Sequence, residues 1–478
     1  MCKITLFWHF CLQISKKCCI FASKFNIVML QIERNAFKQL HAWKQSSNRK
    51  PLLLQGARQI GKTWLMREFG KREFDSVVEL NFDEKPELRE LFRRTKDTTR
   101  LIRELALYTP VSIQPERTLL IFDEIQESEE ALNALKYFCE NAPQYPIIAA
   151  GSLLGVHVRK KSMTVPVGKV QTLHLHPLSF NEFLRVADSQ MYDYCASVTP
   201  FEPLPEIVLS RLTDVYRQYM VCGGMPEAAI ALLEKRGMQT VEQTLGDILQ
   251  LYQADFSKYA TPVEVTRMTA LWQSLPSQLA KENRKFIYNV IRSGARAREY
   301  EDGLIWLEEA GLIYRIYNVG KPGLPLAAYR DLSAFKAYTF DSGLLRRLAH
   351  LSAEVVLSEN NPGYQEFRGA MAENMVLQSL VSQYSDVPYY WSSGNKAEID
   401  FLIEHGGHII PIEVKSSTRI SGGSLASYFH KYNPALRIRF SMNNLHFNDG
   451  LLSIPLPLAD WTHQLVGQIF AESSISIK

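Results

Sequence analysis

The stretch Pro51-Leu-Leu-Leu-Gln-Gly56-Ala-Arg-Gln-Ile-Gly61-Lys62-Thr63 decides the fold class of this chain. Its first five residues are apolar enough for a buried strand, and Trp64–Gly70 has a helical pattern. Between them lies the spacing GxxxxGK[ST], whose glycines let backbone N–H groups turn toward phosphate oxygens at a helix N-terminus. We therefore predict a nucleotide-phosphate loop of eight residues: Gly56, Ala57, Arg58, Gln59, Ile60, Gly61, Lys62 and Thr63.

A second apolar run, Arg117–Phe122, ends in two acids. At the carboxyl end of a strand, Asp123 is placed to hold the Mg²⁺ of ATP together with the hydroxyl of Thr63. Glu124 is placed to orient or deprotonate the attacking water. Lys62 is expected to reach the β and γ phosphates.

A third run, Tyr145–Ala150, is followed by Gly151 and Ser152. In ATPases with an extra strand between the phosphate loop and the acidic strand, this position carries a polar group that contacts the γ-phosphate. Ser152 is therefore a candidate catalytic residue, and a helix N-cap is the alternative. Further runs at 76–82 and 170–175 complete five strands separated by helical patterns, which predicts an α/β fold with a parallel P-loop NTPase sheet.

Composition sets the other limits. The 478 residues are 46% hydrophobic and 22% charged, which excludes a disordered, collagen-like or disulfide-scaffold chain. Residues 1–28 hold four lysines, no acid and four of the seven cysteines, and we expect them to be an N-terminal extension, non-native or disordered, before a start at Met29. No run is long enough to span a bilayer. The scattered cysteines favour a cytoplasmic protein.

The chain resembles a family of prokaryotic AAA-type ATPases that carry a C-terminal domain of unknown function. Four stretches resemble that family most: the loop 56–63, Phe122-Asp-Glu-Ile-Gln126, Ala150-Gly-Ser152 and Leu173–Phe183. Later stretches at 223–227, 247–259 and 337–344 fit it as well. The family often has Gly-Arg where this chain has Gly168-Lys169. The sequence identifies no arginine finger: Arg159, Lys160 and Lys161 are loop candidates for that position, and a solvated surface is the alternative for such a run of charges.

The chain divides into three regions after residue 28. We predict an ATPase domain over 29–200, a helical region with a winged-helix-like module over 201–355, and a restriction-endonuclease-like α/β domain over 356–478. In the middle region, helices are predicted at 265–279, 284–291 and 298–310, and a hairpin at 312–319 and 326–330. Arg292, Arg296 and Arg298 would give this module a basic edge for nucleic-acid phosphates, whereas a structural or protein-docking module is the alternative.

The last region carries a second constellation of charged residues. A helix at 367–384, three strands, a helix and a strand, with Asp400 before Glu413-Val-Lys415, resemble the core of restriction-endonuclease-like nucleases. Period 2 places Glu413 and Lys415 on one face, where Asp400 can join them and Glu373 can add a third acid. Such carboxylates would bind a second divalent metal, and Lys415 would orient water or stabilise negative charge. An exposed strand with alternating charges is the alternative. Gly394-Asn395-Lys396, just before the strand that holds Asp400, could shape the cleft or contact phosphate.

Two functions follow from these patterns. The first is a Mg²⁺-dependent ATPase coupled to a nuclease-like domain that acts on nucleic acid. The second is a nucleotide-gated switch that binds DNA or a protein without cleaving anything. In both, the expected ligands are ATP and ADP, the expected partners are DNA, another protein or further copies of the chain, and no membrane contact is expected.

Overall fold

The computed structural model describes residues 30–152, 155–156, 165–281, 285–358, 361–394, 397–418 and 423–475. Within residues 1–33, the described residues 30–33 form no helix or strand. Residues 34–478 cluster as one compact unit. None of the described helices is both long enough and apolar enough to cross a membrane.

The N-terminal sheet has five parallel strands in the order β2-β3-β4-β1-β5. Its strands are β1 (Leu52–Gln55), β2 (Ser76–Asn81), β3 (Thr118–Asp123), β4 (Ile147–Ala150) and β5 (Gln171–His174). The central strands β3 and β4 are buried at every position, because helices cover both faces of a parallel sheet. The predicted α/β class and its five strands are confirmed.

Helices flank this sheet and one precedes it. They are α1 (Ala36–Gln45), α2 (Lys62–Glu73), α3 (Pro86–Arg94), α4 (Thr98–Tyr108), α5 (Glu129–Asn141), α6 (Phe180–Ala187) and α7 (Ser189–Ala196). On one face, Phe82, Phe92, Phe122 and Phe138 pack edge to face with ring centroids 5.4–6.2 Å apart. This packing fixes β3 and its terminal acids relative to the covering helices.

The middle of the chain is mainly helical. Its helices are α8 (Glu206–Cys222), α9 (Pro226–Leu233), α10 (Met238–Tyr259), α11 (Pro262–Leu279), α12 (Tyr288–Ile291), α13 (Ala297–Glu309), α14 (Ser342–Leu348) and α15 (Ala353–Leu357). A hairpin of β6 (Ile313–Val319) and β7 (Arg330–Thr339) lies between α13 and α14.

The second strand of this hairpin differs from the prediction. Residues 326–330 were predicted to form it, but Leu326–Tyr329 is a 3-10 turn and β7 begins only at Arg330, which pairs with Val319. A long-range contact accompanies this difference: the buried Leu326 donates its N–H to the side chain of Glu404, on β9, at 2.5 Å. Within β7, residues 330–333 are exposed and residues 334–339 are buried.

The C-terminal strands continue from this hairpin in one eight-stranded sheet, ordered β12-β13-β11-β10-β9-β8-β6-β7. The added strands are β8 (Tyr389–Ser392), β9 (Glu398–His405), β10 (His408–Val414), β11 (Arg437–Ser441), β12 (His446–Asn448) and β13 (Leu451–Pro455). The helices of this region are α16 (Gln365–Gln383), α17 (Gly423–Tyr432) and α18 (Thr462–Ile475). Because β6 pairs with β8, backbone pairing crosses the boundary that we predicted at 355/356.

A close approach of two backbones joins the middle helices to α14. Gly223, after α8, has φ +65° and ψ −161°, and a Cβ there would lie 2.4 Å from Asp341 Oδ1 and 2.6 Å from the backbone N of Gly343. Asp341 is fully buried and accepts hydrogen bonds from the N–H groups of Gly224 at 2.6 Å and Leu344 at 2.9 Å. Burial raises the pKa of Asp341 to about 6, although these donors act against the rise.

We expect Gly223→Ala to lower the free energy of unfolding by roughly 2–4 kcal/mol, because the methyl group adds a collision to a glycine-only backbone conformation. Gly237→Ala is the matched control, since Gly237 is in a similar conformation (φ +95°, ψ 149°) with nothing within 4 Å of its Cβ position. Urea unfolding of both variants measures the difference, and equal losses would show that the approach to Asp341 contributes nothing.

Candidate nucleotide site and C-terminal acidic pair

The predicted phosphate loop lies between β1 and α2, at the carboxyl edge of the parallel sheet. A Cβ on Gly56 would lie 2.4 Å from the carbonyl oxygen of Leu175, so only glycine allows this approach. Gln59 has φ +61° and Gly61 has φ +90°, which turn the loop back toward the start of α2. The backbone thus has the tight curvature that a phosphate-binding loop requires.

Lys62 is buried under this loop. Its Nζ donates to the carbonyl oxygens of Gly56 at 2.9 Å and Ala57 at 2.6 Å. Burial lowers the pKa of Lys62 to about 8, against the opposing effect of the carboxylates of Glu124 and Asp123. An anion at the loop would further favour the charged form of Lys62, so the site is electrostatically suited to phosphate.

Thr63 and Asp123, the two expected ligands of Mg²⁺, meet at the carboxyl edge of the sheet. The Thr63 hydroxyl donates to Asp123 Oδ2 at 2.8 Å. Burial raises the pKa of Asp123, although the hydrogen bond from Thr63 acts against the rise. A hard cation fits this pair, because an alcohol oxygen and a buried carboxylate are ligands that Mg²⁺ accepts.

Glu124 and Ser152 are also brought together. Glu124 has φ +49°, directly after β3, and its Oε2 lies 3.4 Å from Ser152 Oγ. Ser152 follows strand β4, and β4 lies between β1 and β3. A residue that contacts the γ-phosphate is expected at the end of a strand in this position. Gln126 Nε2 donates to the same oxygen of Glu124 at 2.5 Å, a contact that the sequence analysis missed.

Arg34 is a second residue that the sequence analysis missed. It is 4% exposed, pairs with Glu182 at 3.3 Å, and donates to the carbonyl oxygens of Ile60 at 2.8 Å and His176 at 2.6 Å. Glu182 itself closes a capping box with Ser179 at the start of α6. The Ser-x-x-Glu spacing in the sequence marks this helix start, but it does not point to Arg34.

A cavity of about 750 Å³ extends from the first two loop residues, Gly56 and Ala57. Its wall includes Arg34, His176 and Tyr314. Burial lowers the pKa of His176 to about 4, with smaller effects from His174 and Arg34, and its Nδ1 lies 3.1 Å from the Tyr314 hydroxyl. The cavity has the size of a small-molecule pocket and opens directly beside the phosphate loop.

Residues 48–184 match the sequence family described as an AAA domain. This match covers the phosphate loop, the Asp123-Glu124 strand and Ser152, so the residues of the candidate nucleotide site lie within the part of the chain that is similar to AAA domains. Residues 213–355 and 368–459 match two families described as domains of unknown function, DUF8612 and DUF4143.

Similar whole proteins and structures were also found. Uncharacterized protein Rv2008c of Mycobacterium tuberculosis and Mb2031c of Mycobacterium bovis are each 23% identical over 398 residues, which cover 82% of this chain and 75% of theirs. The Walker-type ATPase PABY2304 of Pyrococcus abyssi is 14% identical with a TM-score of 0.41, covering 67% of this chain and 96% of that one. The ORC2 protein of Aeropyrum pernix is 15% identical with a TM-score of 0.35, covering 68% and 94%. Because both TM-scores are below 0.5, these two structures carry no argument about the nucleotide site, which depends on the AAA domain match and on the geometry described above.

Lys169 lies away from the phosphate loop of the AAA domain. It precedes β5, whose first residue Gln171 pairs with the first residue of β1, so Lys169 is at the amino edge of the sheet. Its Nζ pairs with Glu140 at 2.8 Å, and that carboxylate raises the pKa of Lys169. The candidates Arg159, Lys160 and Lys161 lie outside the described residues, as do Asn395 and Lys396 of the C-terminal region.

In the C-terminal sheet, Asp400 and Glu413 lie on neighbouring antiparallel strands. Ile412 pairs with Phe401, and one step beyond this pair lie Glu413 and Asp400. Asp400 Oδ2 accepts a hydrogen bond from the N–H of Val414 at 2.7 Å. Both carboxylates are buried, at 9% and 2% exposure.

The partner of Glu413 was not predicted. Arg439, opposite Glu413 on the parallel neighbour β11, approaches Glu413 Oε2 to 3.1 Å with its Nε. Lys415 Nζ lies 3.3 Å from the other oxygen, Oε1. Two cations therefore already compensate this buried carboxylate. The sequence signal for this contact was the alternation Arg437-Ile-Arg439, which places both arginines on one face of a strand.

Glu373 is buried in α16, where its Oε2 accepts from the Tyr338 hydroxyl at 2.9 Å. Across the part of the chain that the structure describes, no three or more His, Cys, Asp or Glu side chains are arranged to hold a metal ion. The second divalent metal of the sequence analysis thus stays a prediction, without a three-acid cluster in its support.

Nucleotide affinity should fall as the pH rises above about 8. Lys62 has a pKa of about 8 without nucleotide, and a phosphate group beside it would raise that pKa, so binding takes up a proton. Below pH 8 the lysine is already charged, whereas above it the affinity should decrease by up to about tenfold per pH unit. Calorimetric titration with ATP and Mg²⁺ from pH 7 to 9.5 measures this slope.

Lys62→Arg is the control, since its guanidinium stays charged over this range. Whatever its absolute affinity, this variant should lose the pH dependence. A flat profile in the unmodified protein would mean that Lys62 does not change protonation on binding.

Proposed function

We propose that this protein binds ATP with Mg²⁺ and hydrolyses it. The observation that carries the proposal is the hydrogen bond of 2.8 Å between Thr63 and Asp123, which joins the phosphate loop to the acidic strand. In P-loop NTPases these two groups hold the metal ion, which neutralises charge on the β and γ phosphates. Lys62, buried beside them, would bind the phosphate oxygens directly.

The attacking water would be oriented by Glu124. Its carboxylate lies at the end of β3, and Gln126 and Ser152 both contact Oε2, which leaves Oε1 for the water. Gln126 would position Glu124, and Ser152 would connect it to the γ-phosphate. The sugar and base would occupy the cavity beside Gly56 and Ala57, next to the loop that holds the phosphates.

For the C-terminal region we propose that nucleotide state gates the binding of a partner, without cleavage of nucleic acid. Arg439 and Lys415 both lie close to Glu413, so a metal ion would have to displace their positive charges. Asp400 is similarly committed to the backbone N–H of Val414. These contacts support the switch over the nuclease.

A nuclease is the second candidate, supported by one specific observation. Asp400 and Glu413 lie side by side on antiparallel strands with Lys415 two residues further along, which is the order of groups in restriction-endonuclease-like enzymes. In either case nucleic acid would meet Arg292, Arg296 and Arg298, which are all exposed before and at the start of α13.

Glu124→Gln should keep ATP binding and lower turnover by about 10²–10⁴-fold, because the amide can no longer accept the proton of the attacking water. Phosphate release under saturating ATP measures turnover, and calorimetry measures binding. Glu130→Gln is the control, since Glu130 is exposed on the neighbouring α5. Normal hydrolysis by Glu124→Gln would assign water activation to another group.

The C-terminal proposal is tested with purified protein, DNA and RNA, with and without ATP, Mg²⁺ and Mn²⁺. We expect the unmodified protein and Asp400→Ala to give the same background cleavage, because two cations already lie beside Glu413. Metal-dependent nicking that Asp400→Ala abolishes would overturn the switch and favour the nuclease. Nicking that survives in Asp400→Ala comes from a contaminant or another site.

A further inference from the structure

The phosphate loop is held from outside the AAA domain by the C-terminal half of α10. Asp255 Oδ1 lies 2.6 Å from Nη1 of Arg58, the third residue of the loop. Three residues earlier in the helix, the Tyr252 hydroxyl donates to the carbonyl oxygen of the same Arg58 at 2.9 Å. One loop residue is thus bound through both its main chain and its side chain.

Both groups that make this contact are buried. Tyr252 is 1% exposed, with its ring packed edge on against Trp272 and Phe340. The side chain of Asp255 is 7% exposed, against 38% for Arg58, and burial raises the pKa of Asp255 while Arg58 acts to lower it. A buried carboxylate whose partner reaches toward solvent is costly to keep unless that partner is held in place.

The contact of α10 with Arg58 lies next to the part of the phosphate loop whose backbone conformation is least favourable. Arg58 directly precedes Gln59, whose φ of +61° is unfavourable for a residue with a side chain. The loop must keep this conformation for its N–H groups to converge on a phosphate, and a loop fixed in advance binds with less loss of entropy. A second approach comes from Gly311, where a Cβ would lie 3.4 Å from the backbone N of Ala57.

We propose that Asp255 and Tyr252 are positioning residues for nucleotide binding, which act through Arg58 and make the affinity of the AAA domain depend on α10. The inference rests on the proposed nucleotide site and adds a regulatory element to it. Since α10 lies in residues 213–355, outside the AAA match, a partner that moves this helix would change nucleotide affinity. By reciprocity, bound nucleotide would strengthen the contact of α10 with the loop by the same factor.

The test compares Asp255→Asn and Tyr252→Phe with the unmodified full chain. Calorimetric titration with ATP and Mg²⁺ should show a Kd about threefold to tenfold higher in each variant, as for the loss of one hydrogen bond or ion pair. The KM for ATP should rise in parallel, with kcat changed less than about twofold, because Glu124 is held by hydrogen bonds from Gln126 and Ser152, which both variants keep. Asp247→Asn is the matched control: the same chemical change on an exposed site of the same helix.

A double-mutant cycle separates positioning from general stability. If Asp255 acts through Arg58, adding Asp255→Asn to Arg58→Gln should raise the Kd no further than Arg58→Gln alone. Independent, additive increases would overturn the proposal. So would an unchanged Kd in both Asp255→Asn and Tyr252→Phe when the thermal unfolding midpoint falls, since that result describes a purely structural contact.

The outcomes also separate this inference from the function on which it rests. If the unmodified protein shows no heat of binding with ATP, the nucleotide site itself is wrong. If it binds ATP and the variants bind equally well, only the role of α10 is wrong. Tyr252→Phe removes a single oxygen, so it keeps the test decisive should Asp255→Asn fail to fold.

Discussion

The hydrogen bond between Thr63 and Asp123 is the interaction on which the nucleotide site depends, because it joins two segments that are 60 residues apart in the chain. Thr63 lies in the segment that follows β1, and Asp123 is the last residue of β3. Strand β4 lies between β1 and β3 in the sheet. Parallel pairing brings the three carboxyl ends to one edge, where the loop, the acids and Ser152 meet. The burial that lowers the pKa of Lys62 also raises that of Asp123, so both groups are prepared for charged ligands.

Sequence patterns could point to those residues of the candidate site that lie close together in the chain, and they could not point to the residues that reach the site from far away. The eight loop residues, Asp123 and Glu124 were chosen from short spacings beside apolar runs, and the structure places them together at the carboxyl edge of the sheet. Arg34 and Asp255 could not be found in this way, because their partners lie 148 and 197 positions away. No pattern within a window of residues records such a contact, and only the fold brings the partners together.

In the C-terminal region, too, the sequence predicted the strands but not the residues that face each other on neighbouring strands. Alternation correctly predicted strands for Asp400 and Glu413, yet strand pattern alone says nothing about which neighbour faces which residue. The parallel pairing with β11 puts Arg439 opposite Glu413 and changes the chemistry of a carboxylate that looked available for a metal. The three predicted regions and the roles of their residues stay predictions.

The pairing of β6 with β8 has a practical consequence for anyone who divides this chain into fragments. A piece that begins near residue 356 would lack β6 and β7, and β8 would present an unprotected edge to other molecules. Bare edges of this kind invite intermolecular strand pairing and precipitation. Expression boundaries placed upstream of Ile313 would keep the β6–β7 hairpin together with β8, which it covers. The isolated fragment would then keep all eight strands of the sheet.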